Sequence, residues 1–346
     1  MTISTLSDAR KAPAVTVVIP AYNASRYIGQ ALDSVQAQTF TDYEVIVVND
    51  GSSDRDELEQ VLRSHPLPII YLSQENKGVS AARNAAIRIA KGEFYAQLDA
   101  DDQWTPDYLE AQLQILNDNP DVALVYPNAT IIAEASDVER EFMDVSPSEG
   151  EVNFESLVRQ RCVVMTCVTA RMSAIREAGM FDESLRSCED FDLWLRVARN
   201  VGRIVYHRRK LAIYRRHEGS LSSDRVWMVR HLLAVYEKCA GTFDLTPAEA
   251  EMLNKEITQS RAMLRLFEGK RALSEGGATT ALLHFKEANE HLRSRKLVLV
   301  IFLLRHVPRL VVWSFGARER YLSGQPDNQL AGIDAPHVTP ESRMHS

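Results

Sequence analysis

The chain is predicted to be an α/β protein, a mostly parallel sheet flanked by helices with a helical C-terminal appendage. Three observations point there. Short apolar, often β-branched runs recur at Val15–Pro20, Tyr43–Asn49, Ile69–Leu72 and Phe94–Leu98. Continuous runs of this kind suit strands buried on both faces. The stretches between them carry helical periodicity, which is the signature of βαβ units. Beyond Val226 the pattern is helical to near the end.

Val15–Pro20 forms the first strand, and Ala21–Ser25 the turn, with Asn23 or Ser25 as helix cap before the face Ile28, Leu32 and Val35. The second strand, Tyr43–Asn49, runs into Asp50–Asp54 and a helix from about Glu57 to Arg63, stopped by Pro66. The third, Ile69–Leu72, leads through Asn76-Lys77-Gly78 into the alanine-rich helix Val79–Ala90. The strand ending at Asp99 follows, and Thr105-Pro106 opens a helix through Leu116. Ala133–Gly150 is acidic and lacks periodicity, as a surface excursion would. Val163–Thr169 is a strand candidate, Glu189–Val197 a mostly buried helix, and Ile204–Tyr206 and Leu211–Tyr214 are two further strands.

With 346 residues, 45% of them apolar, the chain can bury the core of one large domain plus an appendage. A net charge of −7 speaks against nucleic acid as a partner. The cysteines Cys162, Cys167, Cys188 and Cys239 show no paired metal spacing and fit reduced thiols in a cytoplasmic protein. Residues 1–12 are polar, without the apolar core of a signal peptide, and read as a disordered lead-in. The tail 322–346 reads as disordered too.

In parallel sheets of this kind, ligands sit beyond the carboxyl ends of the strands. Tyr22, Asp50, Asn76–Asn84 and Asp99–Asp102 all fall just after strands. One face thus collects an aromatic ring, a lone acid, a basic loop and an acid cluster, the inventory of a nucleotide-diphosphate site. Leu98-Asp-Ala-Asp-Asp102 is the centre of it. Three carboxylates within four positions repel one another unless a cation sits among them, and Mg²⁺ shares one or two carboxylates with substrate phosphates. The plainer reading is an acidic turn that caps the next helix. Glu189 and Asp190 lie in the first turn of their helix, where simple capping is the alternative. His217 follows a strand and the pair Arg215-Arg216, ahead of a Gly-Ser loop, which marks it as a ligand candidate.

Six blocks carry a resemblance: Val17–Asn23 (Val-Val-Ile-Pro-Ala-Tyr-Asn), Val48–Asp54 (Val-Asn-Asp-Gly-Ser-Ser-Asp), Asn76–Asn84 (Asn-Lys-Gly-Val-Ser-Ala-Ala-Arg-Asn), Leu98–Asp102, Glu189-Asp190 and Tyr214–His217 (Tyr-Arg-Arg-His). In this order they resemble the family 2 glycosyltransferases of the GT-A fold, over residues 13–225. The resemblance implies an inverting, metal-assisted sugar transfer from a nucleotide-sugar donor, UDP-linked first of all, with Mn²⁺ or Mg²⁺ as cofactor. It implies that Pro20, Ala21 and Tyr22 line the base pocket and that Asp50 hydrogen-bonds the base. Gly78 and Arg83 would approach ribose and diphosphate, Asp99 the ribose and Asp101 the metal. Asp190 would be the general base, and His217 a further metal or diphosphate contact. The acceptor would be a saccharide or lipid-linked saccharide in polysaccharide or glycoconjugate synthesis. A nucleotidyltransferase is the competing enzyme class, but the first turn holds neither the glycine nor the lysine it would favour. A non-catalytic sugar-nucleotide-binding protein is the third reading, and the presence of Asp50, Asp99, Asp101 and Asp190 argues against it.

Residues 226–321 stand outside the resemblance. Phe267, Ala272 and Leu273, the Gly276-Gly277 break, then Ala281, Leu282 and Phe285 resemble a single tetratricopeptide-like helix pair, a packing appendage. Between His291 and Arg320 there are seven Lys/Arg against one acid, Glu319, around the apolar run Leu297–Leu304. Arg305, His306 and Arg309 interrupt it well short of the ~20 residues that span a bilayer. Two readings follow for 293–320: a peripheral contact with the anionic inner face of a membrane, or a helix packed on the catalytic domain.

Overall fold

The computed structural model describes residues 12–133, 136–217 and 224–314. Most of the predicted lead-in, the Gly-Ser loop after His217, residues 315–320 and the tail 322–346 lie outside them. The chain divides into two compact units, Met1–Arg216 and His217–Ser346.

In the first unit, β1 (Val15–Ala21), β2 (Tyr43–Asp50), β3 (Ile69–Gln74) and β4 (Phe94–Gln97) form the parallel half of a nine-stranded sheet ordered β3-β2-β1-β4. Val17, Val18, Ile19, Ile46, Val47 and Val48 are fully buried, as continuous β-branched runs require when helices cover both faces. Between these strands run α1 (Ile28–Gln36), α2 (Arg55–Ser64) and α3 (Val79–Ile89). The register places Ala21 beside Asn49 and Asn49 beside Ser73, so the strands' carboxyl ends are level. Gly92 just before β4 is required by space: a Cβ there would lie 2.4 Å from the Thr16 backbone nitrogen.

The other half is mixed. β8 (Thr169–Arg171) joins β4 antiparallel, β6 (Val122–Ala133) pairs antiparallel with β8, and β9 (Arg203–Arg216) runs parallel to β6. The two-residue β5 (Gln103–Trp104) closes antiparallel on β9, and β7 (Ser136–Glu141) hangs on β6. Helices α4 (Tyr108–Asp118), α5 (Phe142–Val145), α6 (Phe154–Val158), α7 (Met172–Glu177) and α8 (Glu189–Asn200) complete the unit. Pairing of β5 with β9 brings the far end of β9 to the acid loop that precedes β5.

Four local expectations are corrected. Residues 163–168 are not a strand; β8 starts at Thr169, and the apolar run reflects burial of Met165, Cys167 and Val168. The stretch 133–150, expected as a surface excursion, holds β7 and α5, and β7 escapes hydropathy patterning because it is a polar edge strand. The two strands expected at 204–206 and 211–214 are one, β9, whose exposed Arg208, Arg209 and Lys210 mimic a turn. Neither Asn23 nor Ser25 caps α1, whose N-cap is Tyr27. Instead Asn23 accepts from the Ser53 backbone N–H (2.8 Å), and the Ser25 N–H donates to Asp54 (2.9 Å), lacing the β1 turn to the β2 turn.

The second unit consists, in its described residues, of α9 (Arg225–Thr242), α10 (Pro247–Ser274), α11 (Ala278–Leu292), α12 (Arg295–His306) and a helical stretch at 308–314. Thr246 and Glu249 form a capping box with Pro247 at the first position of α10. Gly276 (φ 82°) makes the α10–α11 turn, and Gly269 leaves the space that the Phe285 ring fills. Ala272, Leu273, Ala281, Phe285 and Ala288 form this unit's core, onto which α12 sets Leu297 and Leu304.

Candidate active site

The loops at the carboxyl ends of β1 to β4 hold most of the site residues expected from the sequence. Ala21 ends β1 in the core, Pro20 is half-buried, and Tyr22 beyond it is 55% exposed, a ring open to solvent. Asp50 is buried at the end of β2 and accepts three hydrogen bonds: from Gln74 Nε2 (2.7 Å), the Lys77 N–H (2.9 Å) and the Gly78 N–H (2.8 Å). It therefore clamps the loop before α3. Gly78 starts that helix at φ 92°, a conformation that favours glycine, and a Cβ there would meet Arg186 at 3.1 Å.

Arg83 on α3 is the hub. It is buried, its Nη2 donates to Asp99 (2.8 Å) and its Nη1 to Glu189 (2.5 Å), and its guanidinium lies 5.2 Å from the centre of the Phe181 ring. Burial pulls its pKa down, but Asp99 and Glu189 outweigh that and hold it above the ordinary arginine value. One guanidinium thus ties the end of β4 to the start of α8. The next residue, Asn84, is buried and holds the approach to α8: it bonds the Phe181 carbonyl (2.8 Å) and N–H (3.0 Å) and Glu183 (2.9 Å). Cys188, the N-cap of α8, takes a left-handed conformation (φ 56°), which turns the chain sharply into Glu189 and Asp190.

Asp190 is half-buried beside this ion triad, and its Oδ1 accepts from the Phe191 N–H (2.7 Å). Burial and the neighbouring Glu189 push its carboxyl up to about 7, against the opposing pull of Arg83. A carboxylate poised near neutral pH is what proton abstraction at pH 7 calls for. Its neighbour Asp192 is fully buried and takes a two-pronged contact from Arg196 (3.0 and 2.7 Å), a structural pair.

In the acid loop, Asp101 is half-exposed and Asp102 buried. The Arg215 N–H at the end of β9 donates to Asp102 Oδ1 (2.9 Å), and Arg215 Nε donates to the Asp101 carbonyl (3.0 Å). Among the described residues, Asp102 Oδ2 is buried without a hydrogen-bond partner. Burial, then Asp101 and Asp99, push the Asp102 carboxyl well above its ordinary range. A buried carboxylate oxygen that no described group meets, in a loop with two further acids, fits a hard divalent cation. Among the described residues no three Asp, Glu, His or Cys side chains converge into a complete cage, so a cation here would complete its shell with other oxygens, as Mg²⁺ does with phosphates. His217 follows β9, half-buried, as the first residue of the second unit.

Three contacts are not legible in the motifs. Glu189 is an anchor for Arg83, Asn84 pins the 181–183 loop, and Arg215 holds the acid loop. A buried arginine one residue before a buried asparagine in an alanine-rich helix is the signal that could have exposed the first two.

The chain has relatives among known proteins. The family model "Glycosyl transferase family 2" matches residues 16–179. An uncharacterized glycosyltransferase of Rickettsia typhi is 33% identical over 264 residues, covering 74% of this chain and 80% of that protein. Of other curated relatives the chain covers less: 32% of the length of one from Rickettsia felis and 59% of one from Rickettsia prowazekii. Among solved structures, S. aureus TarS 1–349 in complex with UDP has a TM-score of 0.55 at 19% identity, covering 90% of this chain and 92% of that one. The mannosyltransferase PcManGT of Pyrobaculum calidifontis, in complex with GDP-Man and Mn²⁺, has a TM-score of 0.57 at 18% identity, covering 99% and 92%. The sheet order, the acid loop and these matches lead to one assignment: the chain belongs to the family 2 glycosyltransferases and is an enzyme of the GT-A fold.

Proposed function

We propose that the enzyme transfers a sugar, with inversion, from a nucleotide-diphosphate donor to a hydroxyl of a saccharide or lipid-linked acceptor in polysaccharide or glycoconjugate synthesis. The observation that carries this reading is Asp190, a carboxyl raised to about 7 next to a buried Arg83–Glu189–Asp99 ion triad. Asp190 takes the proton of the acceptor hydroxyl as that oxygen attacks the anomeric carbon. The bond from that carbon to the diphosphate breaks on the opposite face, which inverts the centre. Pro20, Ala21 and the open ring of Tyr22 receive the base, and Asp50 shapes its pocket by holding the Lys77-Gly78 turn. Asp99, held by Arg83, faces the ribose, with Gly78 near the diphosphate. Asp101 would hold Mn²⁺ or Mg²⁺, which supplies neutralisation of the departing diphosphate's charge. Bound UDP in TarS and bound GDP-Man with Mn²⁺ in PcManGT support the donor class and the metal, with UDP-sugars as the first donors to test.

A donor panel tests this. Purified protein with Mn²⁺ and a saccharide acceptor is expected to release one nucleoside diphosphate in preference to the others, with the new linkage of opposite anomeric configuration to the donor. Retained configuration would sink the single-displacement reading, and pyrophosphate release would favour a nucleotidyltransferase.

A further inference from the structure

We propose that α12 and the helical stretch at 308–314 form a docking surface for an anionic membrane face, lying in the plane of the interface. Successive helical residues turn by about 100°, so Val298, Leu299 and Phe302 share one arc, opposite the arc that carries Leu297 and Leu304. The second arc is spent on the α10–α11 core. The first is unpartnered among the described residues: Val298, Leu299 and Phe302 are each more than half exposed, and so are Leu310 and Trp313 in the next stretch. Five apolar side chains in a row of two short helices, one of them tryptophan at 66% exposure, form a patch rather than scattered surface residues.

Charge identifies the occupant. From Arg293 to Ser314 there is no Asp or Glu, while Arg293, Arg295, Lys296, Arg305 and Arg309 are all exposed. None of the five is paired with a carboxylate among the described residues. On α12, Lys296 and Arg305 flank the apolar arc on either side, while Arg295 closes one end of it. An apolar centre bounded by cations is complementary to acyl chains beneath anionic headgroups. A second copy fits poorly, because a two-fold contact through this face would set like charges against one another. Spanning is excluded for α12 by its length: 12 residues reach about 18 Å against a hydrocarbon core of about 30 Å. No helix among the described residues is long and apolar enough to cross a membrane. The inference is independent of the donor and of the catalytic residues.

Vesicle flotation of the full chain decides it, with phosphatidylcholine alone and with added phosphatidylglycerol, at low and high sodium chloride. The expected result is capture by the anionic vesicles only, weakened by salt. Capture should be abolished by Leu299→Glu with Phe302→Glu, and reduced on the order of tenfold or more by Arg305→Ala with Arg309→Ala, at about fivefold per cation. Both pairs of positions are exposed, and a thermal melt matching wild type confirms the fold; if the Glu pair melts early, the Arg pair carries the test. No capture by anionic vesicles at low salt, or equal capture by both compositions, would overturn the proposal. So would a concentration-dependent dimer, broken by the Glu pair, in the absence of vesicle binding.

Discussion

The two acidic clusters of the first unit look alike in sequence and differ in how their charge is met. At the start of α8, two of three carboxylates pair with a guanidinium: Glu189 with Arg83, which Asp99 shares, and Asp192 with Arg196. Asp190 accepts a backbone N–H from Phe191 and sits beside the triad without an ion pair of its own. In the loop after β4, Asp99 shares Arg83, while Asp102 meets one backbone N–H and keeps an oxygen without a partner. In the helix cluster two of the three acids thus face a guanidinium, and on the proposed reading the third takes a proton. In the loop cluster a buried oxygen of Asp102 meets no group among the described residues, and on the same reading the loop takes a cation. Which acids do chemistry depends on which ones the protein's arginines already occupy.

Asp190→Asn is expected to have the largest effect, because it keeps volume and one acceptor oxygen but removes the basic site. Turnover should fall on the order of 10²- to 10⁴-fold with donor affinity little changed, read by steady-state kinetics beside calorimetry. Joint loss of turnover and binding would instead give Asp190 a role in holding the donor. Next comes Arg83→Met, which strands Asp99 and Glu189 together in a buried site. A loss of about 3–5 kcal/mol in urea unfolding is expected, as for removal of one partner from a buried ion pair. A variant as stable as wild type would show that the triad is not what joins α3, β4 and α8. Asp101→Ala should weaken Mn²⁺-dependent binding of a nucleoside diphosphate by about tenfold or more, in line with losing an anchoring carboxylate. Calorimetry showing unchanged metal-dependent binding would remove Asp101 from the metal site.

Much of the parallel half was legible because its evidence is local. The centres of β1 and β2, Val17–Ile19 and Val45–Val48, are buried on both faces, so consecutive residues carry the signal, and the loops after them inherit their position from the strand ends. The mixed half was less legible because its strands owe their place to pairing. β7 is polar at an edge, β5 has two residues, and the middle of β9 is an exposed Arg-Arg-Lys run. The same division holds in the site. Asp50, Arg83 and Asp190 stand out by motif, but that Asp50 clamps Gly78, or that Arg83 reaches Glu189 more than a hundred residues on, depends on tertiary contact. A Glu-Asp pair in sequence does not say which carboxylate an arginine has claimed.

Whether Asp190 is the acid left to accept a proton is read from the pH dependence of kcat/KM. A base works only when deprotonated, so a carboxyl raised from 3.8 to about 7 moves the acid limb up with it. With metal saturating, kcat/KM is expected to fall with unit slope below about 7, and the limb should vanish from the residual activity of Asp190→Asn. A limb that lies near the ordinary aspartate value of 3.8, or one that persists unchanged in the Asn variant, would contradict the assignment.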